Sequence, residues 1–392
     1  MKTHQLLFLL TIAFCTFSCS GGNEDEKKTS TPLSEQRLEF EIYDSLVVDY
    51  LGNLTLMDIS PDGNSFLLID TNTDSMFVTN AEGKIKHQYI KSGEGPGNYL
   101  ADRYGKAIFI NNQEFLLPSS GGIIRYSIDG EFKKKYEAEF KSLPNLIIPN
   151  SDKLWIKENK AYTYYFGRGI DEWGAQGINF QENSTQLEEI DLESGDFRGI
   201  IPFPEESKFS SNELAYRNFF FHPVIAIGAD TLYLSFKNEP KIFAYSFDDF
   251  SNPKSIKTIP LNNFLENKPE GKEVGEGFNL KDLFKGSINS VSVTEDQEFL
   301  IDYLNGLSDE QYEKAMAETG GNMNEIWPIA SKLNSGGYIL FDGKIVSPII
   351  EKPEILGNLN KFTSKDEIWF ALNFSEAEND YSVIYKTRIV EK

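Results

Sequence analysis

From about Leu38 onward the chain reads as short runs of alternating apolar and polar residues, broken every few positions by turn formers. One unit recurs: an apolar strand, a tight turn, then a second strand. It appears as "MFVTNAEGKIKHQYI" (76–90), "IIRYSIDGEFKKKYEAEF" (123–140) and "LEEIDLESGDFRGIIPF" (187–203). It returns as "KIFAYSFDDFSNPKSIKTIPL" (241–261), where Asp248 and Asp249 replace the Gly turn, and as "YILFDGKIVSPII" (338–350). The period-two alternation around Glu82-Gly83, Asp129-Gly130, Ser194-Gly195 and Asp342-Gly343 predicts β-hairpins. Another strand pair precedes each of them, at 56–70, 107–119, 146–158, 224–236 and 290–304. A sixth pair, 362–374, is followed by a last strand, 381–392.

Four strands per unit, six times over, predicts an all-β fold: a six-bladed β-propeller of four-stranded blades over residues 38–392. The sixth unit supplies only three strands, whereas "LEFEIYDSLVV" (38–48) precedes the first unit as an orphan. Pairing the orphan into the sixth blade closes the ring with an N-terminal strand and removes an exposed edge. The alternative topology is a pair of β-sandwiches. The third, fourth and fifth units carry long insertions (159–185, 207–224 and 306–337), the last with a short helix from Asp309 to about Glu318.

Composition changes this picture chiefly at the N-terminus and through charge. Lys2, the apolar run Leu6–Phe14 and the small residues Ser18 and Cys19 read as a signal peptide over 1–18. The run is too short to cross a bilayer as a helix. "TFSC" resembles a bacterial lipobox, with Thr16 at the place usually held by leucine, so Cys19 is the expected lipidation site; a plain secretory signal is the alternative. Residues 19–37 are polar and aperiodic, as in a flexible tether. Cys15 and Cys19 are the only cysteines of the chain, so the body after Cys19 has no thiol for a nucleophile, a disulfide or a thiolate metal site. The net charge of −22 disfavours nucleic acid and anionic membrane surfaces as partners, leaving the lipid anchor as the membrane contact.

"KSGEGPGNYLADRYG" (91–105) has the glycines of a phosphate-binding loop, but neither a following helix nor a Gly-Lys-Ser/Thr ending. In propeller topology it is a structural corner between blades one and two, built on Gly93, Gly95, Pro96 and Gly97. With the signal, the tether and "DSMFVTNAEGKIKHQYIKSGEGPGNY", the chain resembles the six-bladed β-propeller lipoproteins of Bacteroidota, in which blade one closes on a Gly-x-Gly-Pro-Gly corner. Asn98 stands where an acidic residue is common. That resemblance implies fold and envelope location, in a family largely of unknown function.

Candidate ligand-binding residues are Tyr99, Arg103 and Tyr104 beyond the corner, Tyr164, Arg168 and Trp173 in the blade-three insertion, and Arg217 and His222 before blade four. Planar rings beside arginines suit stacking on sugars, on peptide groups or on a partner surface. "DTNTDS" (70–75) imitates half a calcium loop but lacks its sixth-position glycine. With no nucleophile–base pair, cofactor motif or metal set in view, the expected function is non-catalytic binding of a glycan, peptide or envelope protein. The carrier would be a monomeric outer-membrane lipoprotein facing the cell surface, a side suggested by the acidic run Glu24-Asp25-Glu26. The alternative is a propeller-type carboxylate hydrolase, a glycoside hydrolase or lactonase.

Overall fold

The computed structural model describes residues 32–99, 103, 105–119, 121–141, 152–275, 277, 279–377 and 379–392, apart from the side chains of Met323 and Asn324. The expected lipidation site Cys19, the signal peptide and most of the tether lie outside the described residues, as does Tyr104. One compact unit spans Leu33–Lys392.

Six antiparallel sheets follow one another along the chain. Blade one is Leu54–Ile59, Phe66–Asp70, Ser75–Thr79 and Ile85–Ile90; blade two is Ile108–Asn111, Glu114–Ser119, Gly122–Ser127 and Phe132–Tyr136. Blade three comprises Leu154–Lys157, Lys160–Thr163, Thr185–Asp191 and Phe197–Pro202. Blade four comprises Pro223–Ile227, Thr231–Phe236, Glu239–Ser246 and Ser255–Thr258. Blade five has Ser287–Val293, Phe299–Leu304 and Gly336–Phe341, and blade six has Leu356–Ser364, Glu367–Leu372, Ser382–Glu391 and, outermost, Leu38–Val48. The burial of each strand follows its place in the blade. Phe66–Asp70 and Ser75–Thr79, in the middle of blade one, are buried at every residue, whereas the outer strand Ile85–Ile90 alternates half-buried and exposed. A middle strand is covered on both faces by neighbouring blades, so it reads as an unbroken apolar run.

Every interface between neighbouring blades is a hydrophobic cluster. Met57, Leu67 and Val78 meet Phe109, Phe115 and Tyr126 between blades one and two, and Leu116 and Ile123 meet Leu154 and Ile190 between two and three. Phe203, Phe209, Phe221 and Phe236 fill the space between blades three and four; Tyr233 and Phe299 join four to five. The N-terminal strand serves the last two interfaces at once. Its Leu46 and Val48 pack with Leu56 and Phe66 of blade one, while Leu38 and Phe40 pack with Leu300 and Leu340 of blade five. Its ladder with the last strand runs from Leu38 opposite Glu391 to Val48 opposite Ser382, with one bulge between Ile42 and Asp44. Asp58 adds a polar strut: its carboxylate pairs with Lys361 of blade six (2.6 Å) and accepts from the Phe109 amide of blade two (2.7 Å).

Three details differ from the sequence expectation. Blade five has three regular strands, because Pro348 removes an amide from what would be its fourth. Only an isolated Phe341–Val346 bridge remains there, with Ser347 and Ile350 donating to Leu340 and Tyr338. The insertion into this blade holds two helices: α1 (Asp309–Glu318), opened by a Ser308/Gln311 capping box, and α2 (Met323–Leu333). Pro328 and the Gly320-Gly321 break disguise the second, whose Ile326 and Ala330 nevertheless bury one face beside Tyr312 and Phe284. The blade-three insertion, expected as loop, contains the short helices Ile170–Trp173 and Ile178–Asn183.

Phe40 is 1% exposed and meets Phe370 and Tyr338 edge-on at 5.0 and 5.4 Å. Phe40→Ala should therefore destabilise the propeller by about 3–5 kcal/mol, read as a lower denaturant midpoint. A loss below about 1 kcal/mol would mean that the N-terminal strand does not hold the ring.

Candidate functional site

At the ring axis the innermost strands leave a cavity of about 580 Å³. It extends to the face that carries the second-to-third strand connections, where Thr71, Lys237, Asn373 and Phe374 line it. The residues that immediately precede innermost strands recur in its wall: Asn53 before blade one, Lys153 before blade three and His222 before blade four; Lys106 lies just ahead of blade two. Such a residue leaves the ladder as the chain turns into the blade, so its side chain is free to reach the axis.

The wall is chemically divided. Blades three and four contribute Lys153, Trp155, Phe219, His222 and Lys237. Blades six and one, three places around the ring, contribute Asn358, Asn360, Asn373, Asn53 and Thr55. Blade five contributes Asn289, Asp302 and Tyr338.

Burial governs the charge states. It lowers Lys153 to about 8, opposed by the neighbouring Asp152 carboxylate, and it lowers Lys237 to about 8 with help from Lys153. His222 is driven well below its ordinary value by burial and by both lysines, so it is neutral at pH 7. The Lys237 ammonium lies 3.8 Å from the Phe219 ring centroid, and Tyr164 meets His222 edge-on at 4.8 Å. Lys106 is committed elsewhere, to Asp152 (3.2 Å) and to the Asn360 carbonyl. Burial raises Asp302 to about 6, against a 3.4 Å hydrogen bond from Asn289 and the attraction of Lys352. Among the described residues no group of three or more His, Cys, Asp and Glu could hold a metal ion.

Residues 38–227 match a family model, DUF5128, described as a 6-bladed beta-propeller. Over that stretch the chain is similar to these propellers. A solved DUF4221 member from Bacteroides vulgatus ATCC 8482 superposes with a TM-score of 0.57 at 12% identity, covering 92% of this chain and 100% of its own. A Bacteroides fragilis NCTC 9343 protein named for presumed export gives a TM-score of 0.50 at 14% identity, covering 92% and 98%. At these identities the likeness shows the fold. No curated protein matches the chain.

The structure does not gather the sequence candidates around this cavity. Of those described, His222 lines it. Arg168 makes two 2.7 Å hydrogen bonds to the buried Glu188 and stacks on Phe140; Arg217 grips Glu270; Arg103, buried, pairs with Asp74 at 3.5 Å. Tyr99 is buried in the cluster between blades one and two, Tyr164 in that between three and four, and Trp173 packs over Gly169. The corner has a structural role. The Asn98 amide donates to the Gly95 carbonyl (3.1 Å) around Pro96 and Gly97, whose φ of 78° gives the signature of a type II turn. Gly93 also has positive φ, at 104°, whereas Gly95 does not. A Cβ at Gly97 would lie 2.6 Å from that of Phe132, so the loop seats directly on blade two. In "DTNTDS", the Asp70 carboxylate is held by Tyr50 (2.6 Å), Asn72 and Thr73.

Lys153, Lys237, Asn360 and Asp302 were not among the sequence candidates. For Lys153 the signal is phase within the repeat: aligning the units on their first strands brings Asn53, Lys153 and His222 into register.

The two lysines make stability depend on pH. Each has a lower pKa folded than unfolded, so the unfolded chain binds more protons between about pH 8 and the ordinary lysine range, and stability rises with pH there. Below pH 8 each costs up to about 3 kcal/mol. Lys153→Met should therefore be more stable than the native chain at pH 7, with the gap closing by pH 10, in urea denaturation at both values. A pH-independent gap would contradict the depressed pKa.

Proposed function

We propose that this chain is an exported lipoprotein, anchored in the outer membrane through Cys19 and facing the cell surface, whose axial cavity binds a glycan, peptide or envelope-protein ligand without transforming it. The cavity carries the proposal. Its volume lies within the range of about 300–1,000 Å³ common for ligand sites, and aromatic rings, amides and lysines converge on it. Among the described residues the carboxylates in its wall are Asp152 and Asp302, the first paired with Lys106 and the second hydrogen-bonded by Asn289. Export is supported by the lipobox-like "TFSC" and by the name of the Bacteroides fragilis structural relative. No helix among the described residues is long and apolar enough to cross a membrane.

One observation favours a hydrolase instead. Asp302, held near 6 in the cavity wall, has the raised pKa of a general acid. Chromatography of glycan and lactone panels after incubation with the protein separates the readings. Unchanged substrates support binding alone, and turnover abolished by Asp302→Asn would establish hydrolysis. For the anchor, Cys19→Ser should lose palmitate labelling and leave the membrane fraction, and protease added to intact cells should remove the native body. Retained label in Cys19→Ser, or full protection from protease, would overturn that part.

A further inference from the structure

We propose that the axial cavity is a site for an acidic saccharide, its carboxylate against Lys153 and Lys237 and its hydroxyls toward the amides of blade six. This inference deepens the binding reading above and rests on it.

The first observation is charge without a partner. In a chain of net charge −22, two lysines line one wall of the axial cavity, and neither has an ion-pair partner among the described residues. The carboxylate that acts on Lys153, that of Asp152, is bound to Lys106, and the Lys237 ammonium lies over the Phe219 ring. Two like charges held close in partial burial repel each other, and an anion between them relieves both the repulsion and the lost hydration. At pH 7 both ammonium groups remain protonated, since each is lowered only to about 8. A ligand carboxylate can accept hydrogen bonds from both.

The second observation lies across the cavity. Asn360 is 3% exposed, lines the cavity, and its Oδ1 has no hydrogen-bond partner among the described residues. A buried amide oxygen left unpaired is unfavourable, so it calls for a donor such as a hydroxyl. A ligand that meets both walls must carry an anion at one end and hydroxyls at the other. The exposed ring of Phe374 and the half-buried ring of Trp155 add flat apolar surface of the kind on which sugar rings pack. A plain anion satisfies the lysines alone and a neutral sugar the amide and rings alone. A uronate satisfies all of them.

The test is calorimetric titration of the lipid-free folded chain with glucuronate and galacturonate, as monomers and short oligomers, beside glucose, galactose and their neutral oligomers. Acetate and a poly-glutamate peptide supply the anion without the sugar. The expected result is uronate binding at least about 10-fold tighter than binding of the matching neutral sugar. Lys153→Met and Lys237→Met, each checked for folding by thermal melting, should lose that advantage. Equal affinity for neutral and acidic sugars, or uronate binding untouched in the folded lysine variants, overturns the inference while leaving a binding cavity in place. Poly-glutamate or acetate binding as tightly as the uronates overturns the saccharide and keeps the anion. If a panel of neutral glycans, peptides and envelope extract also gives no heat, the binding reading falls with it.

Discussion

The propeller depends on one pairing, that of Leu38–Val48 with Ser382–Glu391. Each blade buries its two faces only against its neighbours, so an open ring would leave two apolar faces in water. The N-terminal strand solves this twice over. It completes blade six as a sheet, and from its two ends it sends Leu46 and Val48 into one interface and Leu38 and Phe40 into the other. The Glu351 amide donates to Leu38 and its carbonyl accepts from Phe40, so the edge formed by closure is itself partly covered.

Ring closure also creates the cavity. Six first strands cannot converge on an axis without leaving space, and what lines that space is decided by residues on and just ahead of those strands. The chain places amides on blades six and one and lysines on blades three and four. Several buried or half-buried cations are neutralised locally, as Arg168 is by Glu188 and Lys361 by Asp58. Lys153 and Lys237 have no such ion pair among the described residues, and burial lowers the pKa of both, so holding them there costs the fold stability. Stability has been given up where a ligand could restore it.

Much of the fold was legible from alternation and turn chemistry. Glu82-Gly83 and Asp129-Gly130 reverse the chain where the pattern predicted, and the orphan strand took the place that closure required. What escaped was set by tertiary partners. Pro348 interrupts a strand whose hydrophobicity still reads as regular, and Ile326 and Ala330 form a helical face only once Tyr312 and Phe284 are there to meet it. The site was less legible than the fold. Arginines beside aromatics looked like ligand-binding groups, but Arg168 and Arg217 found carboxylates 20 and 53 residues away. Tyr164, a stacking candidate, became core. No composition signal marks Lys153 or Lys237. Their meaning lies in position, at strand ends whose direction only the closed ring defines.

The closing ladder also bears on how the chain reaches its native state. Its two strands lie at opposite ends of the body, so the contacts that complete the ring are among the least local the chain can make, and such contacts form slowly. Until residues 382–391 have been made, the strand at 38–48 stays an unpaired edge, and two of the six inter-blade cores lack part of their lining. Partial chains are thus distinguishable from finished ones by exposed apolar surface alone, the feature that proteases and chaperones recognise.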